Sequence, residues 1–543
     1  MTTPQHYGPP PGVPPSTVSQ LGEDDELEDN VALAHLISEV KDYQLTHGNL
    51  LKLVRFEEPT RVPTTGVNIS CQPTKFPTHF FDQAMALQQP MQELYLRALS
   101  DTTWLYSVLG PQIESEPDGV MAKLWNIHMR CEAAGPVQEF SCGLFRSDYM
   151  LNETASSGSL GDAQKEVTLK QVEMNTFSCA GACHGEIVGN MHQALLRRRL
   201  AEDGIDPTPQ SVLPTNTNTS DIVNCLAMAH RTYESQFGLV SAHITMDDRR
   251  TAPQRRCVLM IVQPYNFNVA DERPIEYGLW KDVNVPCYRC EWQDIPKHAF
   301  LGGDRALFYR PLSSKKEYEV SVVYYRAGYD LREYADDIEG SDIRYMLETS
   351  RAIKCPDILG HLVGFKSVQR ALAEAGVVER FSTGLDGAQV AAVKDTFMSM
   401  YALGDMATDE GKEVALDHSF MKDYVLKPNL EGGGNNIFST DIPAFLEHIP
   451  LNDWHRYNYQ RLITPPAETT GILLTTNEIY QGPVVSELGI LGLAMWRRDH
   501  AGKEDVKIFE NKAIGFTFKT KPTDVDEMSV VKGYGCFDTP MLV

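Results

Sequence analysis

Tyr424-Val-Leu-Lys-Pro-Asn-Leu-Glu-Gly-Gly-Gly-Asn-Asn-Ile-Phe438 is the stretch that decides how this chain is read. A short apolar strand delivers Lys427, Pro428 stops sheet pairing, and a glycine-rich loop follows. Gly432, Gly433 and Gly434 in succession let the backbone come close to a ligand and turn amide N–H groups toward anionic oxygens. Lys427 adds a point charge for phosphate, and Glu431 an oxygen ligand suited to a hard divalent cation. Triple glycine alone reads as a solvated hairpin. The lysine, the carboxylate and Asn435-Asn436 together turn the reading toward nucleotide phosphates. No Gly-Lys-Ser/Thr ends the loop, so it is not a Walker A motif. It also lacks the dinucleotide GxGxxG, and the other kinase segments are absent.

Upstream, Leu169-Lys-Gln-Val-Glu-Met-Asn-Thr176 reads as a strand. Residues two apart on a strand face the same way, so Glu173 and Asn175 present two oxygens to one Mg²⁺. Val172 and Met174 are expected on the opposite, apolar face. Alone, this segment is an ordinary half-buried strand.

Around these motifs the chain alternates helix and strand patterns. Amphipathic helices are predicted from Val31 and near 78–98, 119–133, 186–203 and 220–236. Apolar strands are predicted at Gln138–Cys142, Thr168–Met174, Cys257–Val262, Val320–Tyr325, Tyr424–Leu426 and Val484–Leu493. The class is therefore mixed α/β (α+β), with sheets covered by helices. Residues 1–30 are rich in proline and end near the acidic run Glu23–Glu26, the composition of a disordered tail.

A net charge of −24 excludes nucleic acid or an anionic membrane as the main partner, and overall charge here favours solubility. The eleven cysteines are scattered and odd in number, which does not fit a disulfide framework. Cys287-x-x-Cys290 lacks the second pair a tetrahedral zinc site needs, and Cys179, Cys183 and His184 read as buried core groups. No signal peptide or long apolar run appears, so a cytoplasmic location is expected.

Several motifs now fall in the order of one family. Gly143-Leu-Phe-Arg-Ser-Asp-Tyr-Met150, Gln171–Thr176, Val323-Tyr-Tyr-Arg-Ala-Gly-Tyr329, Lys354-Cys-Pro-Asp357, Lys427–Asn436 and Ser486-Glu-Leu-Gly-Ile-Leu-Gly492 resemble eukaryotic glutathione synthetase. The resemblance covers nearly all of the chain after the tail. It implies an ATP-grasp fold with an added substrate-binding domain and a glycine-rich lid. On this sequence the core would run over 31–254, the added domain over 255–363, and the C-terminal ATP-grasp part over 364–543. It further implies Mg²⁺ on Glu173, Asn175 and Glu431, and catalytic charges at Arg146, Lys366 and Lys427. ATP would lie against Val172, Glu173, both lysines, the Glu431–Asn436 loop, Phe438, and the strand Gln460, Arg461, Leu462 and Ile463. Glu487, Lys521 and Glu527 would complete the nucleotide site. The dipeptide and glycine would meet Arg146, Ser178, Cys179, Ala180, Asn266, Phe267, Asn268, Glu272, Arg326, Tyr329, Lys519, Val530 and Val531.

Departures cluster at the substrate end. Phe177-Ser-Cys-Ala180 keeps one of the family's serines, Glu272 stands for a glutamine, Phe438 for a tyrosine and Lys519 for an arginine. The closing loop is Met528-Ser-Val-Val-Lys-Gly533 instead of an alanine- and glycine-rich run. The implied activity is ATP-dependent ligation of γ-glutamylcysteine with glycine through an acyl phosphate, by a homodimer. Two alternatives stay open at this point: a ligase with another acceptor amine such as β-alanine, and a nucleotide-binding regulatory protein without turnover.

Overall fold

The computed structural model describes residues 23–53, 62–155, 165–204, 212–238, 255–429, 435–466, 469–476, 478–498, 506–530 and 533–543. One large mixed sheet organises the molecule. Its centre is antiparallel: Val506–Pro522 pairs with Ile479–Arg498, which pairs with Phe140–Ala155, which pairs with Lys165–Asn175. The sheet then continues in parallel, from Phe140–Ala155 through Ile353–Cys355 and Tyr318–Tyr325 to Arg255–Val262 and Cys287–Glu291. The segment 255–363 thus adds parallel strands to the sheet that carries Lys165–Asn175, with Lys354 opposite Ser141.

Composition explains this division. Tyr318–Tyr325 and nearly all of Arg255–Val262 are buried along their length, as parallel strands covered on both faces must be. Thr78–Ser100 buries Phe80, Phe81, Ala84, Leu87, Met91, Leu94 and Tyr95 at helical spacing, and lies on the two longest strands. Asn218–Phe237 buries one stripe against Tyr318–Tyr325 in the same way.

A second sheet of four strands, Met400–Ala402, Tyr457–Arg461, Tyr424–Pro428 and Ile437–Phe438, forms a smaller lobe with its own core around Leu403, Leu426, Trp454 and Tyr459. Two sheet-containing lobes are part of the arrangement the resemblance implies. Pro428 still lies opposite Tyr457, so it closes the strand from within its last position. All eleven cysteines are free and nine of them are buried; Cys183 is the core thiol expected, while Cys179 is only half-buried. Among the described residues no helix is long and apolar enough to cross a membrane.

Two expectations need correction. The first helix is Glu23–His47, so the acidic run assigned to the tail is helical. Residues 1–22 lie outside the described residues. The second correction concerns Val172. Asp148 pairs with Glu173 but Tyr149 with Gln171, leaving Val172 as the extra residue of a β-bulge. Val172 is consequently half-buried beside Glu173, while Gln171 and Met174 take the buried face.

Candidate active site

The site begins on paired strands. Arg146 and Asp148 share one face of Phe140–Ala155, and Asn175 lies opposite Arg146 on the neighbouring strand. Arg146 grips Asp148 bidentately, Nε to Oδ1 at 2.6 Å and Nη2 to Oδ2 at 2.7 Å. Asn175 donates from Nδ2 to Asp148 Oδ2 at 2.9 Å and to Glu173 Oε1 at 3.2 Å. Burial disfavours the Arg146 charge, but Asp148 outweighs it and holds the guanidinium protonated. Gly489, opposite Asp148, makes room for the pair: a Cβ there would lie 2.4 Å from Asp148 Oδ1 and 2.9 Å from Arg146 Cδ.

Two lysines converge on this row from other elements. Lys366, first residue of the helix Lys366–Leu372, places Nζ 3.7 Å from Glu173 Oε2. Lys427 reaches across from the small lobe and donates from Nζ to the Val172 carbonyl at 2.9 Å. Gln369 donates to the same carbonyl at 3.3 Å. Burial pushes the Glu173 carboxyl up, but Lys366, Lys427, Arg146 and the Asn175 hydrogen bond bring it down to about 2. Desolvation lowers Lys427 to about 8, against the pull of Glu173. Glu487 and Lys519 face each other across the two long strands and form a close ion pair. Burial raises the Glu487 carboxyl, and it lowers Lys521, whose Nζ donates to the Val525 carbonyl.

A second charged group lies on the other side of Ser178–Ala180. Ser178 is left-handed at φ 52° and Gly181 at φ 92°. The turn between them is held from both sides: Arg326 donates to the Cys179 carbonyl, and Arg146 Nη1 to the Ala180 carbonyl at 2.8 Å. Arg326 is buried against Asp271, Nη2 to Oδ2 at 2.9 Å, and Asp271 accepts from the amides of Gly181 and Cys183. Glu272 accepts from Asn266 Nδ2 at 2.6 Å and pairs with Arg289 at 3.0 Å. Asn268 faces His184 at 3.1 Å, and the Phe267 carbonyl accepts from Lys52 N. Tyr329 is half-buried beside Glu333, its hydroxyl raised to about 12 by burial.

A model of the eukaryotic glutathione synthase ATP-binding domain matches residues 30–542. The chain belongs to the eukaryotic glutathione synthase family. It is 31% identical over 501 residues to the glutathione synthetase large chain of Schizosaccharomyces pombe, covering 91% of this chain and 94% of that one. The Homo sapiens glutathione synthetase is 27% identical over 518 residues, covering 95% and 98%. A solved glutathione synthetase like-effector from Globodera pallida, in apoform, shares the fold at TM-score 0.66 and 21% identity, over 95% of this chain and 97% of that one.

Of the residues expected to bind in this glutathione synthase-family chain, the structure gathers Arg146, Glu173, Asn175, Lys366, Lys427, Glu487 and Lys519 into one cluster of interacting charged and polar groups. Cys179, Ala180, Asn266, Glu272 and Arg326 form the adjoining group. Gln460 is buried between Met400 and Val425 with Oε1 lacking a partner, Arg461 is exposed, and Leu462 N donates to Asp423. Asn436 donates to Glu527 at 3.3 Å, Asn435 is exposed, and Phe438 pairs with Val425. Val530 is buried in an apolar cluster with Val188, Met191 and Phe537. Glu431–Gly434 and Val531 lie outside the described residues. Sequence reasoning did not single out Asp148, Gln369, Asp271, Arg289 or Gly489. Asp148 and Gly489 stood inside quoted motifs, and that was their only signal.

Proposed function

We propose that this ligase joins γ-glutamylcysteine to glycine with cleavage of ATP to ADP and phosphate. The observation that carries the reading is the row Arg146–Asp148–Asn175–Glu173 with Lys366 and Lys427 converging on it from separate elements. A carboxylate does not acylate an amine at neutral pH because oxide is a poor leaving group. Transfer of the γ-phosphoryl group to a carboxylate oxygen gives an acyl phosphate and ADP. The glycine amine then attacks the acyl carbon, phosphate leaves, and the amine proton is lost. This chemistry asks the protein for positioning and charge neutralisation, which fixed lysines and an arginine supply.

Mg²⁺ suits the donor set. Asn175 turns its Nδ2 toward Asp148 and Glu173, which leaves its amide oxygen for a ligand on the other side. Glu173 stays ionised down to about pH 2. Glu173, Asn175 and Glu431 are the proposed oxygen ligands, and phosphate oxygens and water would complete the shell that Mg²⁺ takes. When bound, Mg²⁺ neutralises phosphate charge. ADP release by purified protein supplied with ATP, Mg²⁺, γ-glutamylcysteine and glycine tests the reading, with β-alanine replacing glycine as the test of the acceptor. No ADP release with either amine overturns it.

A further inference from the structure

Four of the eleven thiols line up from the turn Ser178–Ala180 into the core. Lys354 lies opposite Ser141 on neighbouring parallel strands, so the next residues, Cys355 and Cys142, stand side by side. Cys142 is within hydrogen-bonding reach of Cys355 and of Cys225 on the helix Asn218–Phe237. All three belong to one apolar cluster and are at most 1% exposed. Cys355 also reaches the main chain of Leu144. From the other side, Cys179 Sγ lies 3.3 Å from the Leu144 carbonyl oxygen and 3.3 Å from that of Asn175. The thiols of Cys179 and Cys355 therefore converge on one residue of Phe140–Ala155. Of this group Cys179 alone is half-buried, so it is the thiol a small solute meets first. Among the described residues no group of three such side chains could hold a metal ion, which sets the line of thiols apart from a metal site.

We propose that Cys179 and Cys355 form a dithiol modification site, oxidised to a disulfide by hydrogen peroxide. The peroxide oxidises the Cys179 sulfur to a sulfenic acid and releases one water. The Cys355 sulfur then attacks the Cys179 sulfur, the sulfenic oxygen leaves with the thiol proton as a second water, and the S–S bond closes. Two electrons pass from the two sulfurs to the peroxide. The new bond has a mechanical consequence. The carbonyls of Cys179 and Ala180 are held by Arg326 and by Arg146 Nη1. Drawing the Cys179 sulfur toward Ile353–Cys355 takes its thiol from the Asn175 carbonyl and shifts the turn against both arginines. Arg146 also grips Asp148, so the displacement passes to the charged row. The dithiol step is independent of the ligase reading, whereas its effect on turnover rests on that reading.

Full-length reduced protein is treated with hydrogen peroxide in slight excess, quenched with catalase, alkylated and digested, and linked peptides are mapped by mass spectrometry. ADP release is measured in parallel, before and after dithiothreitol. The expected result is a Cys179–Cys355 linked peptide and a fall in ADP release of at least about tenfold, restored by dithiothreitol, because displacing a site by about 1 Å costs rates of that order or more. Cys355→Ser should give no linked peptide and hold Cys179 as a sulfenic acid that a 1,3-diketone probe labels, a species the wild type does not accumulate. Cys131→Ser, which changes the other half-buried thiol, should form the link and lose ADP release as the wild type does. Each variant is compared with its own reduced rate. The inference is overturned if Cys179 stays a thiol while Cys131 is oxidised, or if Cys179 links to another cysteine. It is overturned equally if the linked protein turns over within about twofold of the reduced one. If the reduced protein releases no ADP, the ligase reading fails and the linked peptide alone decides the modification site.

Discussion

Replacing Asp148 by asparagine tests the site at its least replaceable point. Asp148 is 1% exposed and takes two hydrogen bonds from Arg146 and one from Asn175. Asparagine keeps one acceptor oxygen and sets an NH₂ group against a guanidinium or an amide that also donates. The Arg146 guanidinium then stays buried without its counter-charge, which costs on the order of 3–5 kcal/mol when one partner of such a pair is removed. Part of that cost falls on folding. The part that disorders Arg146 and Asn175 is worth about 1.5–3 kcal/mol, the range of a hydrogen bond to a charged group. At about 1.4 kcal/mol per factor of ten, kcat/KM should fall roughly 10- to 150-fold. A coupled ADP-release assay measures this, with thermal melting alongside. The Asp148→Asn, Arg146→Met double variant should cost less than the sum of the single variants, because the second change removes the stranded charge. Activity within about threefold of wild type, or additive single and double effects, refutes the reasoning.

Other outcomes follow from the same geometry. Gly489→Ala should lower stability by about 1–3 kcal/mol and activity with it, because its Cβ would meet Asp148 Oδ1 at 2.4 Å; Gly387→Ala, with open space around it, is the matched control in the same melting and activity assays. Lys427→Met should raise KM for ATP by at least about tenfold while dipeptide affinity stays unchanged, measured by initial rates and calorimetry. Chelation of Mg²⁺ should abolish ADP release, and Glu173→Gln should shift the Mg²⁺ requirement upward in a metal titration. Asp538 is fully buried and raised by desolvation from 3.8 to about 7. Its folded state holds the proton that the unfolded chain releases at lower pH, so stability falls as pH rises between about 4 and 7 and levels off above that. Denaturation of Asp538→Asn across this window should show a gain over wild type that grows toward pH 7, bounded by about 4 kcal/mol. A gain that does not change with pH would place the effect elsewhere.

Much of the fold was legible because apolar spacing survives in the sequence. Thr78–Ser100, Val120–Ala134 and Asn218–Phe237 lie close to their expected positions, since each must cover a sheet with one stripe. The core strands were legible as β-branched and aromatic runs, but their order was not. Ile353–Cys355 joins the parallel strands to Phe140–Ala155, a junction that depends on the crossovers between them. In the site, charge type and loop chemistry revealed Lys427, Glu173 and Asn175. Asp148 and Arg289 were hidden for a common reason. A lone acid or arginine on a strand reads as a solvated group, and its meaning comes from a partner distant in sequence. Asp148 takes its value from Asn175 across the sheet, and Arg289 from Glu272 on the helix Val269–Lys281. Val172 escaped because strict alternation fails at a bulge.

That bulge determines which experiments can see the contact between the two sheets. The atom that receives Lys427 and Gln369 is the main-chain oxygen of Val172, and every amino acid brings the same oxygen. Any scan that exchanges side chains at this position keeps the contact intact and would score the position as tolerant. Comparison of related sequences is blind to it in the same way, because the selected property is one extra residue in the strand. Only editing the backbone reaches it. Deleting Val172 would let Gln171 and Glu173 pair in regular succession, keep Glu173 and Asn175 on their present face, and take away the oxygen by which the small lobe is tied to the strand Lys165–Asn175.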